Sequence, residues 1–361
     1  MKKLTINSKD ILKAVQVVGS LIKPQNTMPV LDNILFKINP GKLELVADNL
    51  EVRSCNEIDI ESDFEHQVCI PFNLLSNILK GLTNGPVDFV FEEKSLNLKT
   101  TTGEYKIPIA PEDVKAFPAD NFEEAEGSVT YNSLELVEAI KKAAAFADPA
   151  NTNVLGKVLF WTGDCTRIVG FNMHGGFEGT LDVKGPENKM LLTRGAATYL
   201  AASITENDDL VVTTTGNHVY FSIGKRKISA VLAAERYPNY EVHFNSDRNK
   251  ILKITKDEFS PVLKRLASVT DNTSHIVRFN FSNDTLEMNF AHSAREIKAK
   301  ETIKVNYQGE PMLVGLSVNN INNTLNVFDE AISFEFSEAN KPCVVTEGNT
   351  RCIIMPFLLA D

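Results

Sequence analysis

The chain has 361 residues, 43% of them hydrophobic and 23% charged, which is the composition of a soluble globular protein with room for two or three domains. No apolar run approaches the roughly 18 residues of a membrane span, and the polar start MKKLTINSKD lacks the apolar centre of a signal peptide, so we expect a cytoplasmic protein. The net charge of −10, from 37 basic and 47 acidic residues, argues against a basic surface spread over the whole molecule.

Two series of amphipathic helix patterns recur along the chain. The first series begins at Ser8, Asn132 and Lys256, and the second begins at Pro71, Arg194 and Ser317. Successive members are 124 residues apart in the first series and 123 residues apart in the second. Two independent series with one period predict a threefold internal repeat.

Strand-like runs lie between these helices in every third of the chain. Examples are NILFKI and KLELVAD, then KVLFWTG and DLVVTTTG, then VRFNFSN and AISFEFSE. The segments KAFPADNFEE (115–124) and RYPNYEV (236–242) each combine an aromatic residue, proline and turn residues just before a repeat begins. We call them the first joint and the second joint.

These patterns predict an α+β fold of three repeated domains, each with two helices packed on antiparallel sheets. The predicted boundaries are 1–125, 126–247 and 248–361. Five cysteines, an odd number without C-x-x-C spacing, are interpreted as small buried hydrophobic residues. They are Cys55, Cys69, Cys165, Cys343 and Cys352.

Charge is distributed unevenly between the helices and the rest of the chain. Ten basic and five acidic residues lie in or next to the six predicted helices, so the remainder carries a net charge of −15. This division favours one basic face on an acidic body, as in a protein that meets a phosphate backbone on one side. The alternative is that exposed helix faces are simply rich in lysine.

Searches for catalytic signatures find no P-loop, dinucleotide fingerprint, zinc-protease helix or nucleophile elbow. The six histidines have no ligand spacing, and the glycine cluster MHGGFEG (173–179) leads into strand-like sequence, which favours a loop or bulge. We therefore expect a binding or scaffolding protein without cofactor or metal. An enzyme ranks third among the hypotheses.

The repeat and four motifs together resemble the bacterial replicative sliding clamps, the beta subunits of DNA polymerase III, over essentially the whole chain. The motifs are QNTMPVLDNILF (25–36), VADNLEVRS (46–54), ERYPNYE (235–241) and IIMPFLL (353–359). The resemblance implies a non-enzymatic processivity factor that forms a head-to-tail dimer, a six-domain ring around duplex DNA of any sequence. Twelve helices at about 8–10 Å spacing would line a hole roughly 34 Å wide, enough for a duplex and a water layer.

Partners implied by the resemblance are the polymerase III catalytic subunit, the clamp loader, other polymerases and repair proteins, all bound through short hydrophobic motifs. No membrane partner is expected. With helices lining the hole, the expected DNA-facing residues are Lys9, Lys13, Lys23, Gln25, Lys80, Lys141, Lys142, Arg194, Lys264 and Arg265.

The resemblance also implies a dimer seam and a partner-peptide pocket. The seam is placed at Tyr105 and Ile107 on one side, and at Ser268, Val269 and the strand around residues 300–303 on the other. Ordinary core alternation is the alternative for Tyr105 and Ile107. The pocket wall would comprise Leu155, Phe171, His174, Gly175, Pro238, Tyr240, Val242, Ser317, Asn320, Pro342, Ile353, Ile354, Met355, Pro356, Phe357, Leu358 and Leu359. For IIMPFLL, a last buried strand is the alternative, and both can hold because strand residues alternate in direction.

One segment and two single positions depart from the family pattern. The segment from Phe171 to Gly176 keeps only the histidine of the usual pocket motif, Asn320 replaces a tyrosine, and Gln25 replaces a basic residue. These departures weaken the expectation of a partner-peptide pocket more than the expectation of a ring. The alternative function is a diverged paralogue that acts as a specialised or regulatory protein-binding module with a weakened pocket.

Overall fold

The computed structural model describes residues 2–23, 28–119, 127–150, 153–270, 275–282, 284–292 and 295–359. Gln25 and residues 120–124 of the first joint lie outside these ranges. Seven α-helices are found within them, numbered along the chain: α1 (Ser8–Gly19), α2 (Phe72–Gly81), α3 (Asp113–Ala116), α4 (Ser133–Phe146), α5 (Arg194–Ser203), α6 (Lys256–Val269) and α7 (Val318–Leu325). Short 3₁₀ segments span Pro29–Asp32, Val154–Gly156 and Tyr240–His243.

The helix starts follow from side-chain caps. Asn7 accepts a hydrogen bond from the backbone N of Lys9, and Asn132 accepts from the backbone N of Glu135. Thr255 and Glu258 form a reciprocal capping box at α6. Such caps satisfy amide groups that have no partner inside the helix. The predicted helix starts are confirmed to within one residue.

The described chain divides into two compact units. The first comprises Met1–Val137 and Thr198–Leu232, and the second comprises Glu138–Ala197 and Ala233–Asp361. All strand pairs in both units are antiparallel, as predicted. The domain boundaries at residues 125 and 247 stay a prediction.

The first unit contains an eight-stranded and a four-stranded sheet. In sheet order, the long sheet is β5 (His66–Pro71), β2 (Asn33–Asn39), β3 (Lys42–Asp48), β4 (Val52–Asp59), β16 (Arg226–Val231), β15 (His218–Ile223), β14 (Asp209–Thr215) and β9 (Ser128–Asn132). The short sheet is β1 (Lys2–Asn7), β6 (Pro86–Phe91), β7 (Ser95–Lys99) and β8 (Glu104–Pro108). Helix α1 packs on α2 and on β3 and β4 through a stripe containing Ile11, Val15 and Val18, all fully buried.

The second unit repeats this plan with nine and four strands. Its long sheet is β13 (Asn188–Thr193), β10 (Lys157–Thr162), β11 (Thr166–Phe171), β12 (Gly175–Leu181), β25 (Thr350–Ile354), β24 (Cys343–Glu347), β23 (Ala331–Phe336), β17 (Lys250–Thr255) and β21 (Asn306–Gln308). Its short sheet is β20 (Ile297–Lys304), β19 (Thr285–His292), β18 (Ile276–Ser282) and β22 (Met312–Ser317). Helix α6 packs on α7, with Phe259, Leu263 and Leu266 buried.

The element order confirms the threefold repeat. Each repeat runs strand, helix, four strands, helix, three strands, starting at β1, β9 and β17; α3 and β21 are additions to this order. By this order β4, β12 and β20 are equivalent strands, and so are β8, β16 and β25.

Each long sheet joins strands of two successive repeats. Strand β4 of the first repeat pairs with β16 of the second, and β12 of the second repeat pairs with β25 of the third. The remaining equivalents, β8 and β20, stand at the edges of their four-stranded sheets. Among the described residues, the chain therefore contains two copies of the β4–β16 type of junction and two matching edge strands, β8 and β20, that have no partner on their outer side.

Chemical labelling tests the interpretation of the cysteines. Cys55, Cys69, Cys343 and Cys352 are buried free thiols, whereas Cys165 is only partly buried. Burial raises the pKa of Cys69 to about 12, so its reactive thiolate is scarce near pH 8. We expect iodoacetamide at pH 8 to label Cys165 alone in the native protein, and all five in urea, as read by peptide mass mapping. Labelling of a second cysteine before unfolding would contradict this packing.

No helix among the described residues is long and apolar enough to cross a membrane. The described part of the chain also holds no group of three or more His, Cys, Asp or Glu side chains arranged for a metal ion.

Candidate functional sites

The turn between β11 and β12 presents the histidine of the predicted pocket. The Asn172 side chain accepts hydrogen bonds from the backbone N of His174 (2.8 Å) and of Gly175 (3.0 Å). The backbone N of Asn172 also donates to the carbonyl of Gly175 (2.9 Å). Asparagine suits this role because its side chain imitates a backbone turn. His174 and Met173 are left exposed, Met173 at 73%.

The tail after β25 is fixed by backbone hydrogen bonds on both sides. The backbone N of Met355 donates to the carbonyl of His174 (3.0 Å), and that of Phe357 donates to the carbonyl of Gly315 (2.8 Å). A side chain at Gly315 would lie 2.8 Å from the Phe357 carbonyl oxygen, so only glycine allows this approach. The rings of Phe357 and His174 stack at 6.0 Å between centroids.

Apolar residues under this turn form one aromatic cluster. Phe171 is 4% exposed and packs against Tyr240 (5.4 Å between centroids) and Phe244 (6.4 Å). Leu155 and Met355 pack on the same cluster and are only partly buried. Phe171 therefore supports the predicted wall from beneath.

All predicted pocket residues belong to the second unit, with graded exposure. The buried ones are Phe171, Gly175, Tyr240, Ser317, Ile353 and Ile354. The partly buried ones are Leu155, Asn320, Pro342, Met355, Pro356, Phe357 and Leu359. The exposed ones are His174, Pro238, Val242 and Leu358. The buried-strand interpretation of IIMPFLL holds for its first two residues, while Leu358 is 89% exposed.

Two cavities adjoin these residues. One of about 30 Å³ lies among Phe146, His174, Asn320 and Ile353, which brings together predicted residues from three parts of the chain. The other, of about 720 Å³, lies between the segment 234–241 and the strand residues Leu159, Trp161, Lys189 and Leu191.

Sequence reasoning missed the aromatic side of the larger cavity. The Trp161 ring lies 3.7 Å from Lys189 Nζ and 4.5 Å from Arg167 Cζ, measured to the ring centroid, and its Nε1 donates to Glu187 (2.7 Å). Cations over an indole face are attracted by its quadrupole. Trp161 is the chain's single tryptophan, which was the available signal.

An ion pair with a buried carboxylate also escaped prediction. Glu178 is 2% exposed and accepts a 2.6 Å hydrogen bond from Nε of Arg351, its register partner across β12 and β25. Burial, and then the negative charge of Glu178, raise the pKa of Tyr240. The Tyr240 hydroxyl therefore stays protonated inside the aromatic cluster.

The predicted DNA-facing cations fall into two groups. Exposed lysines that make no ion pair within the described ranges are Lys9, Lys13, Lys80, Lys141 and Lys264. Lys23 is exposed as well. Three others have protein partners: Lys142 pairs with Glu138 (3.4 Å), Arg194 Nε donates to the carbonyl of Ala144 (3.0 Å), and Arg265 binds Glu301 through two hydrogen bonds (2.7 and 3.0 Å).

The predicted seam residues lie on, or on a helix packed against, the edge strands β8 and β20. Tyr105 on β8 is 39% exposed, whereas Ile107 is 1% exposed, as core alternation requires. Ser268 is exposed and Val269 partly buried at the end of α6, which packs on β20. Ile107 could contribute to a seam only through its backbone.

Comparison with known proteins identifies the same family at both ends of the chain. The family model described as DNA polymerase III beta subunit, N-terminal domain, matches residues 2–122, and the C-terminal domain model matches residues 243–356. A beta sliding clamp of Pseudomonas aeruginosa is 24% identical, covering 98% of this chain and 99% of that protein. A beta sliding clamp of Vibrio cholerae is 22% identical, covering 99% of this chain and 100% of that protein.

Solved structures show the same fold. The DNA polymerase III subunit beta of Pseudomonas aeruginosa superposes with a TM-score of 0.94 at 22% identity, covering 99% of this chain and 100% of that one. A sliding clamp of the same organism bound to griselimycin gives 0.93 at 21% identity, with 99% of each chain covered.

Proposed function

The chain belongs to the DNA polymerase III beta-subunit family, and on that premise we propose that it encircles duplex DNA as a head-to-tail dimer. It is a DNA sliding clamp of the replicative polymerase, and sliding clamps are processivity factors rather than catalysts. The comparisons do not favour the alternative of a regulatory paralogue. We place its action on DNA in the cell interior, in the cytoplasm.

The observation that carries the ring is the pair of unjoined edges, β8 and β20. Their equivalents are joined twice within the chain, as β16 to β4 and as β25 to β12. Pairing β8 of one copy with β20 of a second copy would form the same junction between chains and remove both exposed edges. Two such seams close a dimer of six repeats, with Tyr105 on one side and Ser268 and Val269 on the other.

Partner proteins are proposed to bind the second unit by a short hydrophobic segment. The fixed tail, the exposed His174 and the partly buried Leu155 and Met355 supply an apolar surface above the aromatic cluster. The polymerase catalytic subunit, the clamp loader and other polymerases and repair proteins are the expected ligands. The griselimycin-bound relative supports a peptide-like ligand for this fold.

Sedimentation and plasmid retention test the ring. The 40.0 kDa chain should sediment as a dimer. After loading on nicked circular plasmid by a clamp loader, the protein should stay on the circle and leave when the plasmid is cut once. A monomer, or retention that linearisation does not change, would overturn the proposal. A Tyr105→Arg variant, which places charge at the seam, should sediment as a monomer while keeping its circular dichroism spectrum.

A further inference from the structure

The turn that carries His174 has a copy in the first unit. The Asn49 side chain accepts hydrogen bonds from the backbone N of Glu51 (3.1 Å) and Val52 (2.7 Å), and the backbone N of Asn49 donates to the carbonyl of Val52 (3.1 Å). Asn172 makes the same three bonds in the second unit. Asn49 and Asn172 are therefore equivalent.

The strands on either side extend this equivalence. Asp48 is the register partner of Arg53, as Phe171 is of Gly176, with four residues between the partners in both turns. The backbone N of Val231 donates to the carbonyl of Glu51 (2.9 Å), as that of Met355 does to His174 (3.0 Å).

The register then fixes three equivalent pairs. They are Asp48 with Phe171, Arg53 with Gly176, and Ser229, opposite Arg53, with Ile353, opposite Gly176.

The joints occupy equivalent places too. Phe117 of the first joint packs on a cluster containing Leu35 and Val46, which are register partners. Tyr237 of the second joint packs on a cluster containing the register partners Leu159 and Val169. Both units therefore contain the framework of the proposed partner site.

The side chains at these equivalent positions differ in polarity between the two units. The second unit has Phe171, Gly176 and Ile353, which are apolar or absent side chains. The first unit has a buried ion pair: Arg53 Nε lies 2.8 Å from Asp48 Oδ2, and each side chain is 8% exposed.

Arg53 also fastens the first joint to the sheet. Its Nη2 donates to the carbonyls of Pro118 (2.6 Å) and Ala119 (2.9 Å). A cavity of about 150 Å³ remains, lined by both charged residues and by Pro118, Tyr220 and Ser229.

We infer that the Asp48–Arg53 pair is the specificity determinant that confines hydrophobic partner peptides to the second unit. An apolar side chain entering the first-unit cavity would displace the guanidinium from its carboxylate and from two carbonyls. Breaking such a buried pair is strongly unfavourable, because it leaves a charge buried without compensation. The inference rests on the proposed peptide site in the second unit.

Calorimetric titration with griselimycin tests this inference by counting sites. The wild-type chain should bind one equivalent. The triple variant Asp48→Phe, Arg53→Gly, Ser229→Ile copies the second-unit residues onto the first-unit framework and should bind two. Adding Phe171→Asp and Gly176→Arg to the triple variant should return the number of bound griselimycin equivalents to one. The remaining site should then lie in the first unit. Asp48→Leu with Arg53→Met, a volume-conserving apolar replacement, provides a second opening variant that should also add a site.

The outcomes separate the two proposals. A wild-type chain that binds no griselimycin would contradict the peptide site itself. One equivalent for the wild type and still one for both opening variants, with native circular dichroism, would overturn the inference. Binding of two griselimycin equivalents by the wild-type chain would overturn the inference as well. The ion pair would then not exclude the ligand from the first unit.

Discussion

Replacing Arg53 by methionine is expected to lower the free energy of unfolding by about 3–5 kcal/mol, because it leaves the Asp48 carboxylate buried without its counter-charge. The two side chains are each 8% exposed, so water cannot compensate. The variant also loses the hydrogen bonds to the carbonyls of Pro118 and Ala119. Urea denaturation at one fixed protein concentration measures the change, since a dimer's stability depends on concentration.

An exposed ion pair on the same sheet provides the matched control. Lys42 Nζ lies 3.1 Å from Glu57 Oε1, with side chains 59% and 33% exposed. Lys42→Met should cost less than about 1 kcal/mol, because solvent screens the pair. The double variant Asp48→Leu, Arg53→Met should regain most of the stability lost by Arg53→Met alone. If Arg53→Met costs no more than Lys42→Met, the buried pair does not hold the first joint.

The repeat and its helices could be predicted because their determinants are local. Caps such as Asn7 and Thr255 lie within three residues of the amide groups they satisfy. The apolar stripe of α1 is likewise contained in one short segment of the sequence. A period of 124 residues then transfers each local conclusion to the other two repeats.

Strand pairing between repeats could not be predicted in the same way. The partner of Val52 on β4 is Ala230, far along the chain, and nothing in either segment specifies the other. Such long-range pairing depends on which edges remain unpaired once each repeat has folded. The junctions within the chain became visible only in the structure. The predicted seam at Tyr105, Ile107 and residues 300–303 came from the family resemblance alone.

In the candidate sites, too, some features follow from local sequence and others depend on residues far along the chain. The motif VADNLEVRS carried the family resemblance, but the role of Arg53 depends on the carbonyls of Pro118 and Ala119, about 65 residues later in the chain. Phe171 was placed in the pocket wall by resemblance, whereas its burial depends on Tyr240 and Phe244. Arg265 was predicted to face DNA, but Glu301 on β20 already binds it.

Neutralising the five helix lysines that form no ion pair with another described residue is expected to weaken binding to a linear duplex by about tenfold or more, since each phosphate contact contributes through counterion release. The changes are Lys9→Gln, Lys13→Gln, Lys80→Gln, Lys141→Gln and Lys264→Gln. The slope of log K against log salt should become shallower by about 0.9 for each phosphate contact that is lost. Fluorescence anisotropy of a labelled duplex between roughly 50 and 200 mM salt measures both quantities.

The variant Glu301→Gln provides a control that should raise, rather than lower, the affinity for duplex DNA. Hydrogen bonding to Arg265 lowers the pKa of Glu301, so at neutral pH the carboxylate is ionised and holds the guanidinium in two hydrogen bonds. Removing that charge frees Arg265 for phosphate, and duplex affinity should rise while the salt slope steepens. Arg265→Ala in the wild-type background should change affinity less than loss of one unpaired lysine does. If the five-lysine variant keeps the wild-type slope, these helices do not face DNA.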